Sequence, residues 1–343
     1  MLKKIIILLV TALLAGFGIA GYLAWKYVYK SNVDLTEDQI SFYIQTGNNY
    51  EDVFEKLDSL DIIDNPNTFD WVAKKMNFPS HIYPGRYIIR NGLNNRALIK
   101  LMRSGKQTPV KITFNNIRTR PQLAGVLANQ VEPDSAPIAE KMLNAEYAQK
   151  FGFDIDNFGC MFLPNTYEVY WDIDTEKLFK RFHSEYNRFW SEEKKQKAKS
   201  LELSPIEVSI LASIVEKETS VIEEYSTIAG VYLNRLKERM PLQADPTVIF
   251  AHKDFSIKRV LHKHLEIDSP YNTYKYRGLP PGPICIPSIQ AINSVLNNKS
   301  HNYLYFCAKD DFSGRHVFAK TLRQHNQNAR MYRKALNKRK IYN

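Results

Sequence analysis

SILASIVEKETSV, residues 209–221, decides how the C-terminal half of this chain is read. An apolar helical run leads directly into two glutamates separated by a lysine. Either the charges end a surface helix, or one carboxylate is carried into the interior. At about 100° per residue, Val208, Leu211, Ile214 and Val215 form a single stripe, and Glu218 falls about 20° from its centre at Leu211. Glu216 and Lys217 fall about 140° and 120° away, on the polar side. Glu216 is therefore expected in solvent and Glu218 in the interior at the C-terminal end of the helix. There, desolvation and the negative end of the helix dipole both raise a carboxyl pKa. The competing reading is a helix that simply frays, with Glu218 solvated or paired to an arginine, because buried acids are rare.

The sequence downstream favours the interior reading. A second helical pattern, EEYSTIAGVYLNRLKERM (223–240), precedes a loop PLQADPTVIF (241–250) that contains Gln243, Asp245 and Thr247. A second loop places Asn272, Thr273, Tyr274 and Tyr276 ahead of Gly278-Leu279-Pro280-Pro281-Gly282. Amides, hydroxyls and aromatic rings concentrated on loops suit sugars, which offer hydroxyls for hydrogen bonding and apolar faces for stacking. Each loop alone also reads as turn chemistry with core tyrosines; in particular, Asp before Pro at 245 is a common turn signal. YLYFCA (303–308) and HVFAKT (316–321) read as a hairpin around Asp310 to Gly314.

Between about 106 and 200 the pattern is mostly helical. A Pro-initiated helix is expected at RPQLAGVLANQ (120–130), another at APIAEKMLNAEYAQKF (136–151), and a long amphipathic one from Thr175 through Trp190. GCMFLPNTYEVYW (159–171) reads as a packed loop with a short strand. Ahead of this region lies a small βααβ module at 39–105. Strands are expected at ISFYIQ (40–45) and RYIIR (86–90), and helices at YEDVFEKLDSL (50–60) and NTFDWVAKKM (67–76). A closing helix follows at NNRALIKLMRSG (94–105), and PVKITF (109–114) is the next strand. Residues 31–38 read as a polar tether.

Residues 5–25 form an uncharged apolar run after Lys3 and Lys4, long enough as a helix to cross roughly 30 Å of hydrocarbon. A secretory signal is the alternative, with Gly18-Ile19-Ala20 as its cleavage candidate. The run continues to Tyr22 and Trp25, an interfacial aromatic pair, which favours an uncleaved single-pass anchor at 1–30. Lys26 and Lys30 blunt the charge asymmetry across the span. The bulk of the chain is expected outside the cytoplasm, on the cell (inner) membrane.

The 343 residues are 44% hydrophobic and 24% charged, an ordinary globular composition with room for two or three domains. A net charge of +11 and a basic tail with Arg330, Arg333, Lys334, Lys338, Arg339 and Lys340 suggest attraction to anionic lipid or wall polymer. An exported chain meets no genome, so nucleic acid is not an expected partner. Cys160, Cys285 and Cys307 stand far apart without metal-ligand spacing; they read as buried small residues, with one disulfide left open and no metal or cofactor expected.

ASIVEKET (212–219), AGVYLNRL (229–236), MPLQADPTVIF (240–250), YNTY (271–274), GLPPGPI (278–284) and LYF (304–306), in this order and spacing, closely resemble the membrane-anchored endolytic murein transglycosylase family, also called MltG or YceG-like. The resemblance covers nearly the whole chain. It implies an α+β protein with an N-terminal membrane helix, a LysM-like module at 39–105 and a transglycosylase region at 106–343. FLPNTYEV (162–169) resembles the family's F-P-D-T-Y segment, but Asn165 stands where aspartate is frequent, so no acid role is assigned there.

The implied activity is cleavage of peptidoglycan strands between N-acetylmuramic acid and N-acetylglucosamine without water, leaving a 1,6-anhydro end and terminating nascent strands. Glu218 matches the family's catalytic glutamate. Gln243, Asp245, Thr247, Asn272 and Tyr274 are the candidate substrate-binding residues, glycan strands the expected partner, and peptidoglycan synthases candidate protein partners. Two rival readings are a hydrolase that pairs Glu218 with Asp245 and a non-enzymatic wall-binding scaffold.

Overall fold

A computed structural model describes residues 2–339; Lys340, the last residue of the basic tail singled out above, lies outside them. The chain divides into two compact units. Among the described residues, the first comprises 2–112 with 130–132 and 168–173, and the second comprises 113–129, 133–167 and 174–339.

The first unit opens with α1 (Leu2–Tyr29), long and apolar enough to cross a membrane and without a buried residue. Tyr22 and Trp25 stack at a ring separation of 6.4 Å. The module follows as β1 (Gln39–Ile44), α2 (Tyr50–Ser59), α3 (Pro66–Lys75), β2 (Gly85–Arg90) and α4 (Asn95–Arg103), with β3 (Val110–Thr113) after it. β1 and β2 pair antiparallel, from Gln39 opposite Arg90 to Ile44 opposite Gly85. Their inward residues Phe42, Ile44, Tyr87 and Ile89 close over Val53, Leu57, Phe69 and Val72 of the two helices. Local sequence fixes the helix starts: Asn49, Asn65 and Asn94 each cap the first turn with a side-chain oxygen.

The expected tether at 31–38 is instead stitched to the module. Asn32 is buried; its amide donates to Asn95 Oδ1 at 2.7 Å and its carbonyl oxygen accepts from the Asn65 N–H at 2.8 Å. Val33 joins the core. A polar asparagine can anchor a segment when all its groups find partners, which composition alone does not reveal.

In the second unit, α5 (Arg120–Ala128) forms as expected, but the single helix expected at 136–151 is two, α6 (Ser135–Met142) and α7 (Ala145–Gln149), because Asn144 caps the second. A 3₁₀ turn at Phe158–Met161 leads to β4 (Thr166–Val169), then α8 (Thr175–Phe189) and α9 (Glu192–Ser200). Phe158, Phe162, Phe179, Phe182 and Tyr167 meet edge-to-face to form an aromatic core here.

α10 (Pro205–Glu218), α11 (Tyr225–Lys237), α12 (Asp245–His252), α13 (His262–Leu265) and α14 (Ile289–Leu296) build the centre of this unit. β5 (Tyr305–Ala308) and β6 (His316–Ala319) form the expected hairpin, and α15 (Leu322–Lys338) carries the basic tail. The stretch 241–250, expected as a loop, contains the start of α12. Pro246 occupies its first turn, where the missing N–H costs nothing. The three cysteines are free; Cys160 and Cys285 are buried and Cys307 is partly so.

Candidate active site

α10 starts with a capping box in which Ser204 accepts from the Glu207 N–H and Glu207 accepts from the Ser204 N–H, with Pro205 in the first turn. From Val208 to Val215 every residue is buried. The core stripe expected from the helical wheel is therefore only part of the buried surface, since Ser209, Ile210, Ala212 and Ser213 are enclosed as well. The Gly278-to-Ser288 loop supplies part of this cover. The Ile284 N–H donates to the Ser213 hydroxyl at 3.0 Å, and the Cys285 thiol points to the Ser213 carbonyl at 3.6 Å.

Glu216, expected in solvent, is half-buried. Its Oε2 accepts from the Ser288 N–H at 2.7 Å, immediately before α14. An orphan helix-terminal N–H recruits the carboxylate, a demand set by a segment 72 residues away and invisible on the wheel.

Glu218, expected in the interior, ends α10 half-buried like Glu216, and Thr219 turns the backbone into an extended conformation. Its Oε1 accepts a 2.6 Å hydrogen bond from the Tyr232 hydroxyl. Desolvation dominates its electrostatics and lifts the pKa to about 7. The Tyr232 hydrogen bond pulls it down, the nearby Asp245 charge pushes it up, and Arg235 pulls it down.

Tyr232 is 1% exposed and reaches Glu218 from α11; its phenol is pushed far above its ordinary pKa by burial and by the Glu218 charge, so it stays a donor. One turn on, Arg235 is buried. Its Nε–H donates to the Leu304 carbonyl at 2.6 Å and its Nη1 to the Leu242 carbonyl at 2.7 Å, which ties β5 and the 241–244 loop to α11. α11 packs closely on the 299–301 segment because Gly230 lacks a side chain: a Cβ there would lie 2.6 Å from the Lys299 carbonyl oxygen.

The sequence candidates separate into two groups. Asp245 and Tyr274 meet, the Tyr274 hydroxyl donating to Asp245 Oδ1 at 2.5 Å, and both act electrostatically on Glu218 or on its partner Tyr232. Gln243 is exposed and held at φ +50°, a left-handed conformation unusual outside glycine, by its N–H bond to the Thr273 carbonyl.

Thr247 and Asn272 are fully buried. The Thr247 and Thr273 hydroxyls lie 2.9 Å apart, and Thr247 also donates to the Ala244 carbonyl. Asn272 gives both amide protons to the Leu265 and Ile267 carbonyls and accepts from the Tyr274 N–H. These two side chains lock the loops that present Gln243, Asp245 and Tyr274.

Tyr232 and Arg235 were not singled out from the sequence. The signal was present: both share the face of α11 that carries Ile228 and Ala229, and a phenol and a guanidinium on a buried face need partners.

Chemically, the cluster offers a carboxyl group whose pKa is raised to about 7 by desolvation, a fixed donor on one of its oxygens, and a second carboxylate close by.

The YceG-like family profile matches residues 42–331. The endolytic murein transglycosylase of Bacillus subtilis (strain 168) is 32% identical over 318 residues, covering 85% of this chain and 84% of that protein. The Streptococcus pneumoniae (serotype 2) protein of the same name is 26% identical over 348 residues; the match takes in 92% of this chain but 63% of that longer protein. A crystal structure of a YceG-like protein from Listeria monocytogenes superposes with a TM-score of 0.58 at 27% identity, covering 84% of this chain and 98% of that one.

Proposed function

The chain belongs to the YceG-like family, and from that premise we propose that it is a membrane-anchored lytic transglycosylase that cuts peptidoglycan endolytically between N-acetylmuramic acid and N-acetylglucosamine. The observation that carries this reading is the Glu218 carboxyl, desolvated, gripped by Tyr232 and titrating near neutrality.

One carboxyl serves both halves of the reaction. Protonated Glu218 gives its proton to the glycosidic oxygen as the bond from muramic C1 breaks. The carboxylate so formed takes the proton of the C6 hydroxyl as that oxygen closes on C1, giving the 1,6-anhydro ring and restoring the acid. A pKa near 7 suits a group that must give and then accept a proton at neutral pH.

Positive charge developing at C1 is met by the negative charge of Asp245, which Tyr274 holds in place. Gln243, on its strained backbone, offers an amide to sugar hydroxyls. Tyr232 and Arg235 are positioning residues, as are the buried Thr247 and Asn272.

α1 anchors the enzyme in the cell membrane with the bulk on the outer side, where nascent strands emerge and are terminated. The βααβ module at 39–105 acts as a LysM-like holder of glycan, and peptidoglycan synthases are candidate partners. Asp245 also admits a hydrolytic reading, in which a second carboxylate activates water.

Wild-type protein is expected to release soluble fragments from purified peptidoglycan, and Glu218→Gln to lose at least about 100-fold of that rate. Cleavage by Glu218→Gln at the wild-type rate would overturn the assignment, and none by wild type would favour a scaffold.

A further inference from the structure

At the far end of α12 from Asp245 lies a cavity of about 420 Å³ within the second unit. Asp245 opens the helix and Lys253 caps it, so the cavity rim stands roughly 12 Å along α12 from the catalytic cluster at 1.5 Å per residue. The opposite wall includes Cys285, whose thiol contacts Ser213 on α10, the helix that ends in Glu218.

Three cations line this cavity, Arg118, Arg120 and Lys253, against one carboxylate, Asp156. Arg118 lies over the Phe255 ring at 4.9 Å, which orients its guanidinium without neutralising it. Arg120 donates to the Ile155 carbonyl and is partly desolvated, with the Asp156 carboxylate as its counter-charge, which leaves Arg118 and Lys253 as the cations open to an anionic ligand. Phe250 and Tyr271, in ring contact at 4.8 Å, supply an apolar wall. The volume lies within the roughly 300–1,000 Å³ typical of small-ligand pockets. The fitting ligand is small, carries carboxylate and has short apolar side chains. Guanidinium groups grip carboxylate through paired hydrogen bonds, and alanine-sized methyl groups pack against the rings.

We propose that this cavity is a subsite for the acidic peptide stem borne by muramic acid, so that the enzyme selects peptide-bearing strands over bare glycan. The proposal rests on the peptidoglycan reading above. A stem branches from the sugar being cut, and its first four residues, at up to about 3.3–3.6 Å each when extended, can span the roughly 12 Å of α12 between Asp245 and the Lys253 rim.

The test compares uncrosslinked strands that carry stems with the same strands stripped by an amidase. It uses full-length wild type and the double variant Arg118→Ala/Lys253→Ala; Arg120 is left intact because it braces the Ile155 carbonyl. Wild type is expected to show a KM about tenfold lower on stemmed strands. The double variant should lose that preference, with kcat and its activity on stripped strands unchanged. An unchanged preference in the variant, or equal losses on both substrates, would overturn the subsite.

Binding of N-acetylmuramyl-L-alanyl-D-glutamate, followed by NMR titration, separates this proposal from the catalytic one. Binding to wild type that weakens about tenfold in the double variant supports the subsite even if neither strand is cleaved. Equal binding to both proteins, or none to wild type, removes it even if cleavage stands.

Discussion

In the proposed reaction Glu218 must carry a proton when the glycosidic bond breaks, so its ionisation is expected to set the alkaline limb of the rate profile. With the pKa raised to about 7, the active form dominates below that value and is lost as pH rises through it. The Tyr232 hydrogen bond favours the charged form and so holds the pKa down. Tyr232→Phe is therefore expected to move the alkaline limb to higher pH and to lower kcat by about tenfold through lost positioning. A pH–kcat profile checks both effects; a limb that stays in place or moves to lower pH would contradict them. The helical wheel put Glu218 on the core stripe from thirteen residues of sequence, since that depends only on local period, but the structure leaves Glu216, Lys217 and Glu218 all half-buried at the end of α10. It could not find Tyr232 or the Glu216 cap, because those contacts join segments that only the tertiary fold brings together.

Among the elements, the strands and helices of the first module were legible because asparagine caps, turn glycines and clear periodicity agree there. The start of α12 was misread as loop because Gln243, Asp245 and Pro246 resemble turn chemistry, and the same residue types also open helices. The Gly278–Ser288 loop depends on close approach. A Cβ at Gly282 would fall on the Asp156 carbonyl, whereas one at Gly278 meets open space and only the strain of φ +85°. Gly282→Ala should destabilise the protein by about 2–4 kcal/mol and Gly278→Ala by about 1 kcal/mol. Denaturant melts of both variants measure the contrast, and equal losses would show that backbone freedom rather than packing governs this loop.

At the scale of the whole molecule, α1 is, among the described residues, the one helix long and apolar enough to cross a membrane. Contacts from α1 to the module are concentrated at its end, where the Tyr27 carbonyl accepts from Asn95 and Val28 meets the core. A chain lacking residues 1–25 is therefore expected to leave the membrane fraction, stay folded, and cleave purified strands within about twofold of the full-length rate. Cell fractionation with an activity assay checks this; a shortened chain still in the membrane fraction would mean that another surface, such as the basic α15, does the anchoring. Composition and the resemblance indicated an exported glycan-cutting enzyme from sequence alone, while the cationic cavity was hidden because its residues lie more than 160 positions apart, from Arg118 to Ile286. The most direct measurement of the catalytic proposal is mass spectrometry of strand ends after digestion by wild type and by Glu218→Gln. Ends lighter by one water, carrying the anhydro ring and absent from the variant's digest, are the expected result. Reducing ends throughout, or anhydro ends formed equally well without the Glu218 carboxyl, would contradict it.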